Sequence, residues 1–341
     1  MASSTTLGRL GRGEMRSALS TLAELHQALP VHAGASTRAT GFSPLDDVLA
    51  GGARPGELLL VGGKPGVGKT VACLQWARAM AQRGVVAVYL CYEHDPVTLL
   101  ARVLSCELRE AALAAGRHHD FELEELQGRL RDVASGTLSL REALDSDPLL
   151  VEAERRLAGY ADRLVLFQGS GTRTDSATAA DAMTRFRTEP AVLFVDYVQK
   201  VPVVPDPLTE SERVSRVVES LKELALDQEI AVVAVSAADQ YGLTARRLHL
   251  HHFRGSTSLA YEADVALVLN EKLDVVSKAH LAYSTNRIDE FRRQVVFSIE
   301  KNRNGIADVD LEFTKDFAFH RFDPEGGWVM ERLWSESSVE T

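Results

Sequence analysis

Eight consecutive residues, Gly63-Lys64-Pro65-Gly66-Val67-Gly68-Lys69-Thr70, follow the pattern G-x-x-x-x-G-K-[ST]. Glycines let a backbone curl with its N–H groups pointing inward, and a helix N-terminus behind them adds positive field; a chain of phosphates needs both. In this pattern the Lys69 amine reaches the outer phosphates and the Thr70 hydroxyl takes a place on Mg²⁺. A glycine-rich turn without a ligand is the bland alternative. The context disfavours it, because an apolar run (58–61) precedes the loop and a helical pattern (71–83) follows it. The expected ligands are ATP and Mg²⁺.

A magnesium site needs a carboxylate beyond the threonine, and Asp196 ends the apolar run Val192-Leu193-Phe194-Val195. Strands often end in turn residues, so the acid gains meaning only when paired with the phosphate loop. Hydrolysis also needs a group that orients or deprotonates water. Glu93 follows the apolar run 85–92, where parallel sheets place their ligands. It is the candidate base; the competing role is help in capping the helix that begins near His94, Asp95 and Pro96.

These residues need a sheet to hold them. Apolar runs at 58–61, 85–92, 164–167, 192–195, 230–235 and 265–269 alternate with helical patterns, and most are continuously hydrophobic, as strands buried on both faces must be. The expected fold is α/β: a mostly parallel sheet with helices on both faces. Glu210–Gln228 reads as a helix with a Val214, Val217, Leu221, Leu224, Ala225 stripe and a Thr209/Glu212 capping box. Residues 107–162 are charged and helix-prone and read as an insertion outside the sheet. Runs at 295–300, 309–313 and 317–322, with a turn at Lys315 and Asp316, predict a C-terminal antiparallel addition.

Before the domain, 14–29 reads as an amphipathic helix stopped by Pro30, and 31–40 as a flexible linker. The expected organisation is a tail, linker helix and linker at 1–39, the main domain at 40–334, and a frayed tail at 335–341. No apolar run approaches membrane-spanning length and the start lacks a secretory pattern, so cytoplasmic residence is expected. Cys73, Cys91 and Cys106 sit in apolar patterns without a Cys-x-x-Cys pair and read as buried thiols. A net charge of −10 means that any DNA-binding surface must be local.

Several segments in order resemble the ATPase domain of DnaB-type replicative helicases, RecA-like hexameric ring motors. They are Thr40-Gly41-Phe42-Ser43-Pro44-Leu45-Asp46 with Ala50-Gly51-Gly52, the phosphate loop, Tyr92-Glu93-His94 with Arg102-Val103-Leu104-Ser105, Asp196-Tyr197-Val198-Gln199, and Ser220 to Ala225. Phe253-Arg254-Gly255-Ser256 with Glu262-Ala263-Asp264, and Glu300-Lys301-Asn302-Arg303-Asn304-Gly305, continue the likeness. The resemblance implies a RecA-like P-loop NTPase fold, Glu93 as catalytic acid/base, and Lys301 and Arg303 as groups acting on a neighbour's γ-phosphate. On their own chemistry Lys301 and Arg303 read as a solvated basic turn. It also implies a homo-oligomer, a hexameric ring with the linker helix docked on the adjacent subunit, and single-stranded DNA as partner.

Three departures qualify those implications. No room precedes the linker helix for the family's primase-docking domain, so an additional protein partner is expected. Ser236 is followed by Ala237 where the family has a polar sensor glutamine, and alanine cannot relay phosphate state by side-chain hydrogen bonding. The loop after Asp196 carries Lys200 as its one cation. Lys200, Arg246, Arg247 and Arg254 are the nucleic-acid candidates. His249, His251 and His252 read as a solvated loop rather than a zinc site, and Trp328 and Trp334 as core rather than a base-stacking platform. The leading reading is a DNA-acting ring motor; the alternatives are an ATP-controlled oligomeric scaffold and a filament-forming, RecA-like recombination factor.

Overall fold

A computed structural model describes residues 17–20, 22, 37–117, 121–207, 209–276 and 287–334. Most of the predicted linker helix and linker, and the predicted frayed tail, lie outside the described residues.

Ten strands form one sheet. In chain order they are β1 (Leu58–Gly63), β2 (Val86–Cys91), β3 (Leu164–Gln168), β4 (Ala191–Asp196), β5 (Ala231–Ala237), β6 (Val265–Glu271), β7 (Gln294–Asn302), β8 (Val309–Asp316), β9 (Arg321–Phe322) and β10 (Gly327–Trp328). The order across the sheet is β10-β8-β7-β6-β1-β5-β4-β2-β3, with β9 on β8. Strands β1 to β6 pair in parallel, and β7 to β10 add antiparallel pairs.

The longer helices are α1 (Lys69–Gln82), α2 (Pro96–Ala114), α3 (Phe121–Ser135), α4 (Pro148–Ala158), α5 (Ser176–Met183), α6 (Glu210–Gln228) and α7 (Ser256–Glu262). They cover both faces. In β1, Leu59 and Val61 join one core and Leu58 and Leu60 the other. In β2 the same alternation sends Ala87, Tyr89 and Cys91 one way and Val86, Val88 and Leu90 the other. Period-two geometry with two buried faces explains the continuous hydrophobicity. Cys73, Cys91 and Cys106 are buried free thiols.

The charged stretch is helical, and its first residue, Glu107, lies inside α2 rather than at an outer boundary. Glu107 is fully buried; its Oε1 accepts from Arg78, from Gln82 at 3.3 Å and from Tyr160 at 2.6 Å, and its Oε2 accepts from Arg156 at 2.9 Å. Burial pushes this carboxyl upward, yet the donors of Arg78, Tyr160 and Arg156 outweigh it and hold it below the usual range. One carboxylate thus joins α1, α2 and α4. Removing one partner of such a buried pair costs about 3–5 kcal/mol.

Three local expectations change. First, β8 runs through Lys315 and Asp316, and the turn is Phe317–Phe319, closed by His320 at φ +49°. The shift follows from anchoring: Phe319 is fully buried, Asp316 accepts from Arg109 at 2.8 Å, and Lys315 pairs with Glu271. Only Arg321 and Phe322 of the expected strand 317–322 pair with β8. Second, Trp328 sits on edge strand β10 and is 51% exposed, not core. Third, the capping box is half made: Thr209 Oγ1 accepts from Glu212 N at 3.2 Å, but the Glu212 carboxylate is taken by Arg216.

Candidate functional site

The loop after β1 turns at Gly66 (φ +82°) and Gly68 (φ +101°), both left-handed positions where a side chain is strained. A Cβ on Gly68 would also meet the Phe317 ring at 2.5 Å. Val67 is buried beneath the loop, so of its groups only the backbone is available to phosphate. Lys69 opens α1, and its amine donates to the carbonyls of Gly63 at 2.8 Å and Lys64 at 3.0 Å. Burial lowers the affinity of that amine for its proton, while Asp196, Cys73 and Glu93 oppose the shift. Lys64 points elsewhere, donating to Ala245 O. Pro65 and Gly66 line the cavity in front.

Strand pairing brings the remaining groups to the same edge. Gly63 sits beside Ala237 of β5 and Leu269 of β6, and Asp196 beside Cys91 of β2. The Thr70 hydroxyl donates to Asp196 Oδ2 at 2.7 Å, and the Tyr89 hydroxyl donates to the same oxygen at 2.9 Å. Asp196 is buried. Two neutral donors on one carboxylate oxygen fix its position and leave its other oxygen outside those bonds. Glu93 lines the same cavity of about 520 Å³, and its carboxylate has no hydrogen bond among the described residues. Asp95, not Glu93, caps α2, accepting from Thr98 N at 2.9 Å.

On the far side of this cavity only Arg102 lies in a segment that carries the family resemblance. Arg102 of α2 and the turn bearing Phe317 and His320 line it, and two segments this distant meet only through the fold. Burial, with Arg102, Arg131 and His94 adding to it, pushes His320 down to about 4, so its ring is neutral near pH 7. Gln199 stands in the sequence only as part of a longer match. Its buried amide donates to Ser236 Oγ at 2.9 Å and Arg254 O at 3.1 Å and accepts from Ala237 N at 3.2 Å, bracing the position where a sensor side chain is lacking.

Lys301 and Arg303 lie elsewhere. Asn302 pairs with Val265 at the start of β6, whereas Leu269 near its end pairs with Gly63. Four steps of strand, Val265 to Leu269, at roughly 3.3 Å each separate the two registers by about 13 Å. There Lys301 donates to Ala260 O at 2.6 Å, and Arg303 pairs with Asp264 at 3.2 Å while staying 47% exposed. Asp264 also accepts from Lys222 at 2.6 Å and Leu58 N at 2.8 Å.

The nucleic-acid candidates divide. Arg246 donates to the carbonyls of Asp274 and Val276, Arg247 pairs with Asp310 at 2.6 Å, and Arg254 pairs with Glu210. Lys200 is exposed, and its amine has no ion pair among the described residues. His249 stacks on His251 and faces Glu300 at 2.6 Å. No cluster of three or more metal-ligating residues occurs among the described residues, and none of their helices is long and apolar enough to cross a membrane.

Comparison with known proteins places this geometry. Residues 38–323 match the DnaB-like helicase C terminal domain. The replicative DNA helicase DnaB of Treponema pallidum is 25% identical over 288 residues, 82% of this chain and 54% of that protein. The DNA repair protein RadA of Brucella abortus is 30% identical over 164 residues, 47% of this chain and 32% of that protein. The chain therefore spans about half the length of the DnaB relative, or less of RadA. Among solved structures, a DnaB-like replicative helicase, described together with its interactions with primase, superposes with a TM-score of 0.68 at 16% identity, covering 91% of this chain and 68% of that one. The shared architecture is the RecA-like sheet with its C-terminal antiparallel strands, and with the phosphate loop and acid on adjoining strand ends, the chain belongs to the DnaB-like helicase C-terminal domain family of P-loop ATPases.

Proposed function

We propose that the chain binds ATP on the Gly63–Thr70 loop and hydrolyses it at an interface between copies of itself, as a ring motor on single-stranded nucleic acid. The observation that carries the reading is the Thr70–Asp196 hydrogen bond with Glu93 in the same cavity. An alcohol and a carboxylate held this way form an all-oxygen donor set, which suits Mg²⁺. When bound, the ion supplies charge that offsets the phosphates. Thr70 and Asp196 would hold it, Lys69 would turn from its loop carbonyls to the outer phosphates, and Glu93 would orient a water and take its proton. The cavity keeps these groups on one side of the phosphates.

The opposite placement of Lys301 and Arg303 supports the oligomeric part. They sit at the opposite end of β6, about 13 Å of strand from their own chain's phosphate loop, so a role on γ-phosphate requires a neighbour. Nucleic-acid contact is expected to be weak. Three of the four candidate cations are engaged internally, and the net charge is −10, so few counterions are released on binding. A partner protein that contributes basic surface fits this balance. The test is ATPase rate and DNA affinity of the isolated chain near physiological salt. We expect turnover with magnesium, and stimulation by single-stranded DNA of only a few-fold that fades with salt. No magnesium-dependent turnover would refute the enzyme; tight binding with large stimulation would refute the partner requirement and leave a self-sufficient helicase.

A further inference from the structure

Strand β2 carries a single hydroxyl, Tyr89, in an otherwise apolar run. The side chain is fully buried, in the core that also takes Cys73 and Trp76 of α1. Strand register sets Tyr89 beside Phe194 of β4, and the two rings stack with centroids 5.6 Å and planes 17° apart. Asp196 follows Phe194 by two residues and so shares its face of β4. The stacked ring thereby aims its hydroxyl at the acid, where it donates to Oδ2 at 2.9 Å. Thr70 reaches the same oxygen from the cavity that it lines; Tyr89 reaches it from the core and takes no part in the lining. The two donors therefore differ in what else is asked of them. Under the proposed function the Thr70 hydroxyl has a second task as a metal donor, and it rotates to suit its partners. Tyr89 is out of the nucleotide's reach and its ring is fixed by packing, so its bond to the acid does not depend on what fills the cavity.

We propose that Tyr89 is a positioning residue for the magnesium site: held from behind, the Asp196 carboxylate keeps one orientation before the ion arrives. A ligand that is already ordered loses little freedom when the metal binds, and outer partners of metal ligands raise affinity for that reason. The inference rests on Thr70 and Asp196 being the magnesium site. It adds a residue that touches neither ion nor nucleotide and acts only through the acid. A phenylalanine would stack on Phe194 and fill the same space, so the hydroxyl can be removed with the packing kept.

The test is the Mg²⁺ requirement for binding the β,γ-imido analogue of ATP, which removes turnover from the readout, with affinity in EDTA measured beside it. In Tyr89→Phe the half-saturating Mg²⁺ concentration is expected to rise about tenfold, the lower end of the loss on removing an outer partner of a metal ligand. The affinity in EDTA is expected to stay at the wild-type value. An unchanged Mg²⁺ requirement would overturn the proposal. So would an EDTA affinity that falls by the same factor, because that marks a general loosening of the phosphate loop. Where Tyr89→Phe does not fold, 4-aminophenylalanine and 4-fluorophenylalanine placed at position 89 decide. The amine, still a donor, is expected to keep the wild-type requirement and the fluorine to raise it; equal requirements would overturn the proposal. Wild type that binds the analogue equally with and without Mg²⁺ would instead refute the magnesium site, and the role of Tyr89 with it.

Discussion

The two ends of the parallel sheet are built on opposite principles. At the carboxyl ends of β1, β2, β4 and β5 the polar groups turn inward: Lys69 closes on Gly63 and Lys64, Thr70 and Tyr89 on Asp196, and Gln199 on Ser236 and Ala237. At the amino end of β6, Asp264 gathers Lys222 and Arg303, and the guanidinium of Arg303 remains about half exposed. One end is a concave cradle whose groups await a ligand. The other is a cation that projects from the surface, paired on one side with Asp264. Under the proposed function the difference has a clear meaning: the cradle binds the nucleotide, and the charge that turnover needs is supplied by Arg303 of a neighbouring copy.

The largest expected effect breaks the cradle itself. Lys69→Ala should abolish tight MgATP binding and turnover while leaving the thermal unfolding midpoint nearly unchanged, because the amine lies outside the core. Nucleotide titration of the folded variant checks this, and unchanged affinity would rule out the loop as the nucleotide site. Next comes the other end. Arg303→Ala should lower turnover on the order of a thousandfold with ATP binding largely kept. Mixing it with Glu93→Gln should restore part of the rate, since some interfaces then pair an intact Glu93 with an intact Arg303. Exchange of subunits without recovered activity would place both groups in one site and end the comparison.

Glu93→Gln alone should retain ATP and lose roughly a hundredfold in turnover, because an amide orients water but cannot take its proton. A wild-type rate would move the base elsewhere in the cavity. The smallest effect concerns acid. His320 is held near 4 in the folded chain, whereas an unfolded histidine titrates near 6.5. Between these values the unfolded chain binds a proton that the folded chain refuses, so stability falls as pH drops through that window. Urea unfolding at pH 7 and pH 5, compared with His320→Gln, should show a shallower loss in the variant.

The cradle was legible because its chemistry demands neighbours in sequence: Gly63 to Thr70 are contiguous. The strands were legible because burial on both faces leaves unbroken apolar runs, as at 192–195. Assembly from distant segments was not. Arg102, Phe317 and His320 share a cavity only after α2 and the β8–β9 turn have packed. The turn itself falls two residues later than composition suggests, because lysine and aspartate suit turns in general, while packing of Phe319 and pairing of Arg109 with Asp316 decide the outcome. Gln199 carries no pattern beyond a match to related sequences; two of its three bonds depend on β4 and β5 being neighbours, and the third on the segment at Arg254 folding back beside them.

The Glu107 carboxylate has a mechanical consequence. Its two oxygens are claimed by Arg78 and Gln82 of α1, by Arg156 of α4 and by Tyr160 just beyond it. Separating these elements would strand a charge in the interior, which costs several kcal/mol. The acid therefore ties α4 to α1, so that a displacement of one would carry the other. One buried acid thus couples the outer helical layer to the helix that opens at Lys69.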